Sequence, residues 1–510
     1  MSDATLDDLR REARRLHRAY MARDPGAIER IARHAPRKST AALKRADVLH
    51  VIAQEQGFES WPRLKAAAEA QGLDRAGRIQ RLKIALFHGR NEAAAALLAE
   101  TPDLADGLFG LECALYRREA VLAALADNPA LATERFGPRT PILHLAFSRW
   151  IHQRPDLAQD MLAIADALLA HGADVNDGYP VSPGADHALS ALYGAIGHAD
   201  NMVMAEWLLR HGADPDDGES LYHATELGHH EGLRLLLDHG ADPRGTNALL
   251  RALDFNDHAA VEMLIAAGAR VDDFNPAEVG GEAPRVIPAL HQAARRGCDR
   301  RMVELLLDAG ADPRTEWQWT RPHAFARAVG STAVAEALEA RGHDGPLSRE
   351  EALLARAARG LDSPGEYIDP EQLAPAYRDI LRELAHLPER LPQIRALVGL
   401  GIPYDRPDGH ERVTPVQIAG WNGVPETLAY LLSLKPDLTH VNAYGGTLLS
   451  TILHGSENAP DRARRDHLAC LDLVLTHGVA LPRDLLSGAG RKDVADFLGA
   501  WAARHPGQVV

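Results

Sequence analysis

His198, Glu226 and Asp254 place an imidazole and two carboxylates at matching positions of a repeated segment. Each residue follows the previous one by 28 positions. Imidazole and carboxylate groups are frequent general acids and bases, because their pKa values can be tuned to the working pH. A hydrolase or isomerase with a pocket around these three residues is therefore one hypothesis for the function.

The repeat spacing argues against a shared catalytic site. Helices packed in neighbouring repeats lie roughly 8–10 Å apart, whereas a nucleophile and its base need roughly 2.6–3.2 Å. The sequence also lacks the Gly-x-Ser-x-Gly, Gly-x-x-x-x-Gly-Lys-Ser/Thr and His-Glu-x-x-His motifs. We therefore assign no catalytic residue, no metal ligand and no cofactor, and the enzyme stays as the alternative reading.

The composition favours a helix-rich soluble chain, with 46% hydrophobic but only 5% aromatic residues. The sequence contains no run of about 18 apolar residues, so it does not predict a membrane span. The first residues, MSDATLDDLRREARRLHRAY, are charged and do not predict a secretion signal. Cys113, Cys298 and Cys470 are too far apart to indicate a disulfide framework or a zinc site. A reducing, cytoplasmic location is the prediction.

The charge distribution bears on the partner. The formal net charge of −15 argues against nucleic acid as the main partner, because phosphate binding needs a basic surface. Residues 1–80 differ, with 16 Lys and Arg against 11 Asp and Glu. A further hypothesis follows, in which the acidic remainder is only a spacer between a mildly basic N-terminal part and a contact at the C-terminus.

A four-residue motif recurs along the chain and indicates a repeat, and we call this motif the tail of each repeat. A chain of 510 residues is too long for one compact core, so a repeat array is one expected organisation. HGAD begins at His171, His211 and His239, and AGAD begins at Ala309. Each tail follows a Leu-rich segment such as EGLRLLLDH, and its Gly can end a helix in the left-handed conformation. A two-helix unit cannot bury its apolar face alone, so the repeats must stack.

This pattern resembles the ankyrin repeat. TPVQIAGWNG at 414–423, ALHQAARRG at 289–297 and the four Gly-Ala-Asp tails carry the resemblance, and weaker copies extend it over about residues 79–504. The resemblance implies an all-α solenoid of stacked helix-turn-helix units that binds a protein partner. His229, in the Gly-His turn, is then a structural residue that ties the turn backbone.

The spacing of the tails predicts two insertions. The tail glycines at 172, 212, 240, 268 and 310 are separated by 40, 28, 28 and 42 residues. The long intervals contain the Pro- and Gly-rich segments DGYPVSPGADHAL (177–189) and FNPAEVGGEAPRVIP (274–288). We expect both to be loops without elements of their own, on the binding face.

Two further regions depart from the repeat and set the domain limits. Residues 1–75 contain ADVLHVIAQEQGFESWPRLK, which resembles a helical module that precedes ankyrin arrays in bacterial proteins. We expect it to form a cap with Phe58 and Trp61 in its core. Residues 79–342 form repeats, 343–398 form an irregular repeat with an extra helix, and 399–504 form the C-terminal repeats.

The ankyrin resemblance also implies a binding face, because the residues just before each turn point toward the concave side. Projected onto this chain, those positions are rich in Arg and aromatic residues, which dominate binding hot spots. The predicted partner-binding residues are Phe87, His88, Tyr116, Arg117, Arg149, His198, Glu226, Asp254, Phe255, Arg295, Arg296, Trp421, Asn422 and His454.

Overall fold

Short helices joined by tight turns make up most of the chain. The computed structural model describes residues 6–34, 43, 45–56, 58, 61, 64, 73–180, 187–273, 287–459, 462–483, 485 and 491–510. No helix within these ranges has both the length and the apolar character needed to cross a membrane. By their internal contacts the residues divide into two compact units, and along the chain the main boundary falls between Arg251 and Ala252.

Three N-terminal helices open unit 1: α1 (Leu6–Met21), α2 (Pro25–Arg33) and α3 (Arg45–Glu55). Their apolar faces form one core, and Phe58 and Trp61 pack against it as partly buried side chains. That outcome confirms the prediction for these two residues. Arg30 joins the helices through a bidentate contact with Glu55, at 2.6 and 2.7 Å. The other residues of the GFESWPRLK motif, apart from Leu64, lie outside the described residues.

The remaining helices of unit 1 alternate between a first and a second helix of each repeat. First helices α6, α8, α10 and α12 each contact the next in chain order, and so do second helices α7, α9, α11 and α13. The helices are α4 (Arg75–Phe87), α5 (Asn91–Glu100), α6 (Phe109–Ala114), α7 (Arg118–Asp127), α8 (Pro141–Ala146), α9 (Ala158–Ala170), α10 (Ala191–Tyr193), α11 (Met202–Arg210), α12 (Ser220–Ala224) and α13 (Glu231–Asp238). Helix α10 continues into one π-helical turn, Gly194–His198.

The insertion at 177–189 is not a plain loop, so that prediction is wrong. Strand β1 (Gly178–Pro180) pairs antiparallel with β2 (Ala188–Ser190) and forms a hairpin. The hairpin packs against the end of α8 in the same unit, where the Tyr179 ring lies edge-on to Phe147 with centroids 5.3 Å apart. Residues 181–186, between the strands, and residues 274–286 of the second insertion lie outside the described residues.

The repeated tails have the conformation that their glycines predict. Gly172, Gly212 and Gly240 have φ values of 93°, 93° and 89°, a region that only Gly enters at little cost. The next residue, Ala, is buried in each tail. The Asp that follows accepts a hydrogen bond from a backbone N–H two residues later, as Asp214 does from Asp216 at 2.9 Å. The tail therefore turns the chain after each second helix.

The chain passes from unit 1 to unit 2 within α14 (Ala248–Asp254), and α15 (His258–Ala266) ends where a few residues return to unit 1. The other helices of unit 2 follow these two. First helices α16, α18 and α20 contact one another in order, as do α23 and α25. The helices are α16 (Ala289–Arg296), α17 (Arg300–Asp308), α18 (Pro322–Val329), α19 (Thr332–Ala340), α20 (Arg349–Ala358), α21 (Ile380–Leu384), α22 (Leu391–Gly399), α23 (Pro415–Trp421), α24 (Pro425–Ser433), α25 (Leu448–Asn458), α26 (His467–Thr476) and α27 (Lys492–Arg504). Apart from the short hairpin the fold is helical, which confirms the predicted all-α class.

The irregular region 343–398 belongs to the same compact unit as the repeats on either side of it. It contains α20, α21 and most of α22, and α21 contacts α23 of the next repeat. The Arg382 side chain makes this connection: its Nε donates to the Val413 carbonyl at 2.8 Å, and its Nη2 lies 2.9 Å from Asp408 Oδ2. Both charged side chains of this pair are almost fully buried, with 6% and 3% exposed.

Candidate functional site

The predicted binding residues differ widely in their exposure. Five are exposed: Phe87, His88, Phe255, Arg296 and His454. Eight are half-buried: Arg117, Arg149, His198, Glu226, Asp254, Arg295, Trp421 and Asn422. Tyr116 is buried, so its prediction as a contact residue has to be corrected. A residue that the fold encloses cannot meet a partner without unfolding its surroundings.

Tyr116 is part of the core because of the turn it occupies. Its backbone has φ of 58°, which turns the chain between α6 and α7. Its side chain is 2% exposed, and the hydroxyl donates to the Ser148 carbonyl at 3.2 Å. Burial raises the pKa of this phenol, and the hydroxyl stays protonated as a hydrogen-bond donor. Tyr116 therefore joins two turns of neighbouring repeats.

Phe87, Arg149 and His198 come together in unit 1. The Phe87 and His198 rings lie 4.7 Å apart between centroids, and His198 Nε2–H donates to the Phe87 carbonyl at 3.0 Å. Arg149 Nε donates to the His198 carbonyl at 2.6 Å. The sequence prediction placed all three at turns, and the fold brings these turns into contact.

The imidazole of His198 is neutral at pH 7. Burial lowers its pKa to about 4, and the positive charges of Arg149 and Arg139 act in the same direction. A group with this pKa holds too little of its protonated form at neutral pH to serve as a general acid, and it is a weak base. The ring is instead a hydrogen-bonding and packing group between turns.

Arg139 completes this cluster, and the sequence analysis missed it. Its guanidinium lies over the rings of Phe87, Phe147 and Tyr179, at 4.9, 4.4 and 4.5 Å from their centroids. It also donates to the Tyr179 hydroxyl at 2.6 Å. Cation–π contacts of this kind are strongest when the cation is partly removed from water. The only local sequence feature that could have indicated Arg139 as a site residue is its position directly before the Thr-Pro pair that begins α8.

Glu226 belongs to a second cluster in unit 1, centred on His223. The imidazole Nδ1 lies 2.9 Å from Glu226 Oε2, and Nε2 lies 3.0 Å from Glu219 Oε2. Burial alone would lower the pKa of His223, but the two carboxylates outweigh it and raise the pKa to about 9. Arg251 Nε donates to Glu226 Oε1 at 2.7 Å, so this carboxylate bridges two cations. His187 also hydrogen-bonds to the buried Glu219.

The three residues of the enzyme alternative each have separate partners. His198 bonds to the Phe87 carbonyl, Glu226 bonds to His223 and Arg251, and Asp254 accepts from Arg296 Nε at 2.8 Å. The cavity lined by His198, about 310 Å³, is not lined by Glu226 or Asp254. Within unit 1, His198 and Glu226 are therefore held by different partners, and no hydrogen bond in the described part of the chain joins them directly.

The two predicted arginines of α16 both form ion pairs in unit 2. Arg295 contacts Glu383 with two nitrogens, at 2.7 and 3.0 Å, and its side chain is largely buried. Arg296 is more exposed and pairs with Asp254. Arg295 thus connects α16 to α21, which lies in the irregular region.

Trp421, Asn422 and His454 lie in two neighbouring repeats of unit 2: Trp421 ends α23, Asn422 follows it, and His454 lies within α25. Gly455, the residue after His454, passes so close to Trp421 that an added Cβ would lie 2.0 Å from the Trp421 carbonyl oxygen. Asn422 Nδ2 donates to the Ile418 carbonyl at 2.9 Å and ends α23. His467 Nε2–H donates to the Trp421 carbonyl at 3.0 Å. The exposed member of the three is His454.

Among the described aromatic residues of unit 2 that are exposed and lie outside the predicted stripe, Trp319 and Tyr444 are the most exposed. Trp319 is 74% exposed in a two-residue turn closed by hydrogen bonds between Trp317 and Thr320. Tyr444 is 75% exposed, and its hydroxyl donates to Glu411 at 2.9 Å. Both lie in the turns before a first helix rather than after one. The Trp-x-Trp sequence of residues 317–319 was the available signal.

The comparison with known proteins identifies the class of helical repeat. A family model for three copies of the ankyrin repeat matches residues 192–275, and a single-repeat model matches residues 288–316. The chain is a helical repeat protein, and its residues 192–275 and 288–316 match the ankyrin repeat. Such repeats are generally protein–protein interaction modules. These matches do not include residues 1–75, so the bacterial type of the N-terminal module stays a prediction.

Solved structures of ankyrin domains are also similar to parts of the chain. An ankyrin repeat domain from Acinetobacter baumannii is 24% identical, with 40% of this chain and 97% of that chain covered and a TM-score of 0.31. The human ASB11 ankyrin repeat domain is 19% identical, with 50% and 96% covered and a TM-score of 0.22. No curated protein matches the chain.

Proposed function

We propose that this chain is a non-enzymatic ankyrin-repeat scaffold that binds a protein partner through its turn-bearing face. In unit 2 the contact residues would be exposed turn residues such as Phe255 and the turns that precede the first helices, and in unit 1 they would include the β1–β2 hairpin. We place the protein in the cytoplasm, where its three buried free thiols would stay reduced. Its net charge of −15 favours a protein partner over nucleic acid.

The conformation of Trp319 is the observation that carries this proposal. Gln318 and Trp319 have φ values of 47° and 68°, and Gly, Asn or Asp is the usual choice in such a turn. A bulky side chain at positive φ costs about 1–2 kcal/mol, and the indole recovers little by burial because it is 74% exposed. Folding alone gives no reason for Trp at this position, whereas Trp is the residue type most enriched in binding hot spots.

Trp319 and Gln318 provide a matched pair of variants. Trp319→Gly removes the indole and suits the backbone, and Gln318→Gly makes the same backbone change while keeping the indole. The immobilised full-length protein would capture partners from a lysate of the source cells, with recovery quantified by mass spectrometry. We expect at least one protein whose recovery falls about tenfold or more with Trp319→Gly and is unchanged with Gln318→Gly.

The control variant also sets the contradicting outcome. If every captured protein is recovered equally with Trp319→Gly and Gln318→Gly, Trp319 contributes no contact and the proposal is wrong for this turn. The exposed stripe is tested in the same way with Phe255→Ser, compared with Val203→Ser. Val203 is an apolar residue of similar exposure in the first turn of the second helix α11, outside the predicted stripe. Equal recovery with these two variants would remove Phe255 from the surface.

A further inference from the structure

An apolar cavity of about 570 Å³ lies in unit 1, beside the Arg139 cluster. It is bounded by α4, by the start of α6, by the turn at residues 136–139 and by the end of α8. Phe87, Phe109, Phe136 and Phe147 supply four of its lining side chains. Cavities of roughly 300–1,000 Å³ with predominantly apolar walls are typical of sites for small organic ligands.

Two cations line this cavity, although the chain as a whole is strongly acidic. Lys83 is exposed and has no ion-pair partner among the described residues. The Arg139 side chain likewise lacks a carboxylate partner in the described part of the chain, and its one hydrogen bond there is to Tyr179, a neutral group. Its buried Nε has no acceptor among the same residues. The cavity therefore combines apolar walls with positive charge that no carboxylate of the described residues compensates.

The lowered pKa of the His144 imidazole is consistent with the same positive potential. The ring lines the cavity and its Nε2–H donates to the Phe136 carbonyl at 3.0 Å. Burial is the main reason that its pKa is lowered to about 4, and the nearby charges of Arg139 and Lys83 contribute to this lowering. His144 is therefore neutral at pH 7 and adds no charge of its own. No Asp or Glu is among the described residues that line the cavity. Glu112 of α6, which follows the lining residue Leu111 in sequence, is buried and accepts from the Gly107 backbone N–H at 3.0 Å.

We propose that this cavity binds a small apolar monocarboxylate, with its hydrocarbon part among the four Phe rings and its carboxylate at Lys83 and Arg139. This inference goes beyond protein binding, because the ligand is a small molecule and the site lies in unit 1, whereas Trp319 lies in unit 2. A carboxylate would provide the acceptors that both cations lack. The apolar part would cover exposed hydrocarbon such as Ile84, which lines the cavity.

Calorimetric titration of the full-length protein tests the charge preference. The ligands are linear alkyl carboxylates from butanoate to decanoate, kept below their micelle concentrations, with the matched alcohols and alkylammonium ions. We expect carboxylates to bind, alcohols of equal length to bind about fivefold or more weakly, and ammonium ions not to bind. Affinity should rise up to roughly fourfold for each added methylene. Absence of carboxylate binding, or equal binding of carboxylate and ammonium, would overturn the proposal.

Two matched pairs of exposed residues locate the site. Lys83→Met should lower carboxylate affinity about fivefold without changing alcohol affinity, whereas Arg90→Met, on an exposed cation outside the lining, should change neither. Ile84→Ser should weaken both ligands, and Val203→Ser should weaken neither. Ile84 and Val203 have nearly equal exposure, 42% and 43%. If either test variant behaves like its control, the ligand binds elsewhere and the assignment of this cavity is wrong.

Discussion

Asn176 Oδ1 accepts a hydrogen bond from the backbone N–H of Asp214 at 2.7 Å, and Asn176 Nδ2 donates to the Gly212 carbonyl at 3.2 Å. Asn176 lies two residues after the Asp of one Gly-Ala-Asp tail, and Asp214 is the Asp of the next. Asp216 repeats the contact by accepting from the Asp242 N–H at 2.7 Å. The tails of unit 1 are therefore linked to one another as well as turning the chain.

Removing the Asn176 side chain should loosen this link. We expect Asn176→Ala to lower the free energy of unfolding by about 0.5–1.5 kcal/mol, because the Asp214 N–H loses its acceptor at a partly solvated site. Asn176→Asp keeps the acceptor for the N–H and should cost less. Urea denaturation followed by circular dichroism measures both. Equal stability of Asn176→Ala and the wild-type protein would show that water replaces the contact without cost.

His223 should make unit 1 less stable in alkali. Its pKa is about 9 in the folded chain and 6.5 without its partners, so folding favours the protonated ring. The contribution is fully present below about pH 6.5 and is lost as the pH rises through about 9. The titratable and charged groups around it include Glu219, Glu226, His187 through Glu219, and Arg251 through Glu226.

The measurement is the free energy of unfolding across this pH range. We expect the wild-type protein to lose on the order of 1–3 kcal/mol that His223→Gln, which cannot titrate, does not lose. His229→Gln is the control, because the more exposed His229 pairs with a single carboxylate, Asp200, at 2.9 Å. Parallel alkaline profiles for the wild-type protein and His223→Gln would contradict the proposed protonation of His223.

The buried pair of Arg382 and Asp408 should stabilise unit 2 only while both members are present. Arg382→Met leaves the Asp408 carboxylate buried without its cation, which should cost about 3–5 kcal/mol. The double variant Arg382→Met with Asp408→Asn removes both charges, so it should be more stable than Arg382→Met alone. Denaturation of the single and double variants tests this coupling. Additive losses would mean that the pair is not the link between the irregular region and the next repeat.

Gly455 and Gly499 should respond in opposite ways to the same substitution. A Cβ on Gly455 would lie 2.0 Å from the Trp421 carbonyl oxygen, so Gly455→Ala must push two repeats apart and should cost about 3 kcal/mol or more. Gly499 lies inside α27 with no atom near its added Cβ. Gly499→Ala should stabilise the helix by about 0.5–1 kcal/mol. Thermal unfolding of both variants measures the contrast, and a tolerated Gly455→Ala would refute the close approach.

Sequence patterns predicted the parts of the site that depend on local geometry. The turns at Gly228 and at the tail glycines were predicted correctly, because a positive φ is a property of a few consecutive residues. His229 was predicted to tie its turn, and its Nδ1 does accept from the Glu231 N–H at 3.3 Å. The hairpin strands were missed because a Pro- and Gly-rich composition indicates a turn without showing whether its flanks pair.

The sequence by itself determined the repeat, the helix ends and the resemblance to ankyrin repeats, because these follow from periodic apolar residues and from glycines within each unit. Only the tertiary structure decided which turn residues meet solvent. The Tyr116 side chain is buried in the core, and Arg295 pairs with Glu383, which is 88 residues away in sequence. Burial and ion pairing depend on which surfaces of distant segments pack together, and a repeat motif specifies the unit but not the neighbour's side chain.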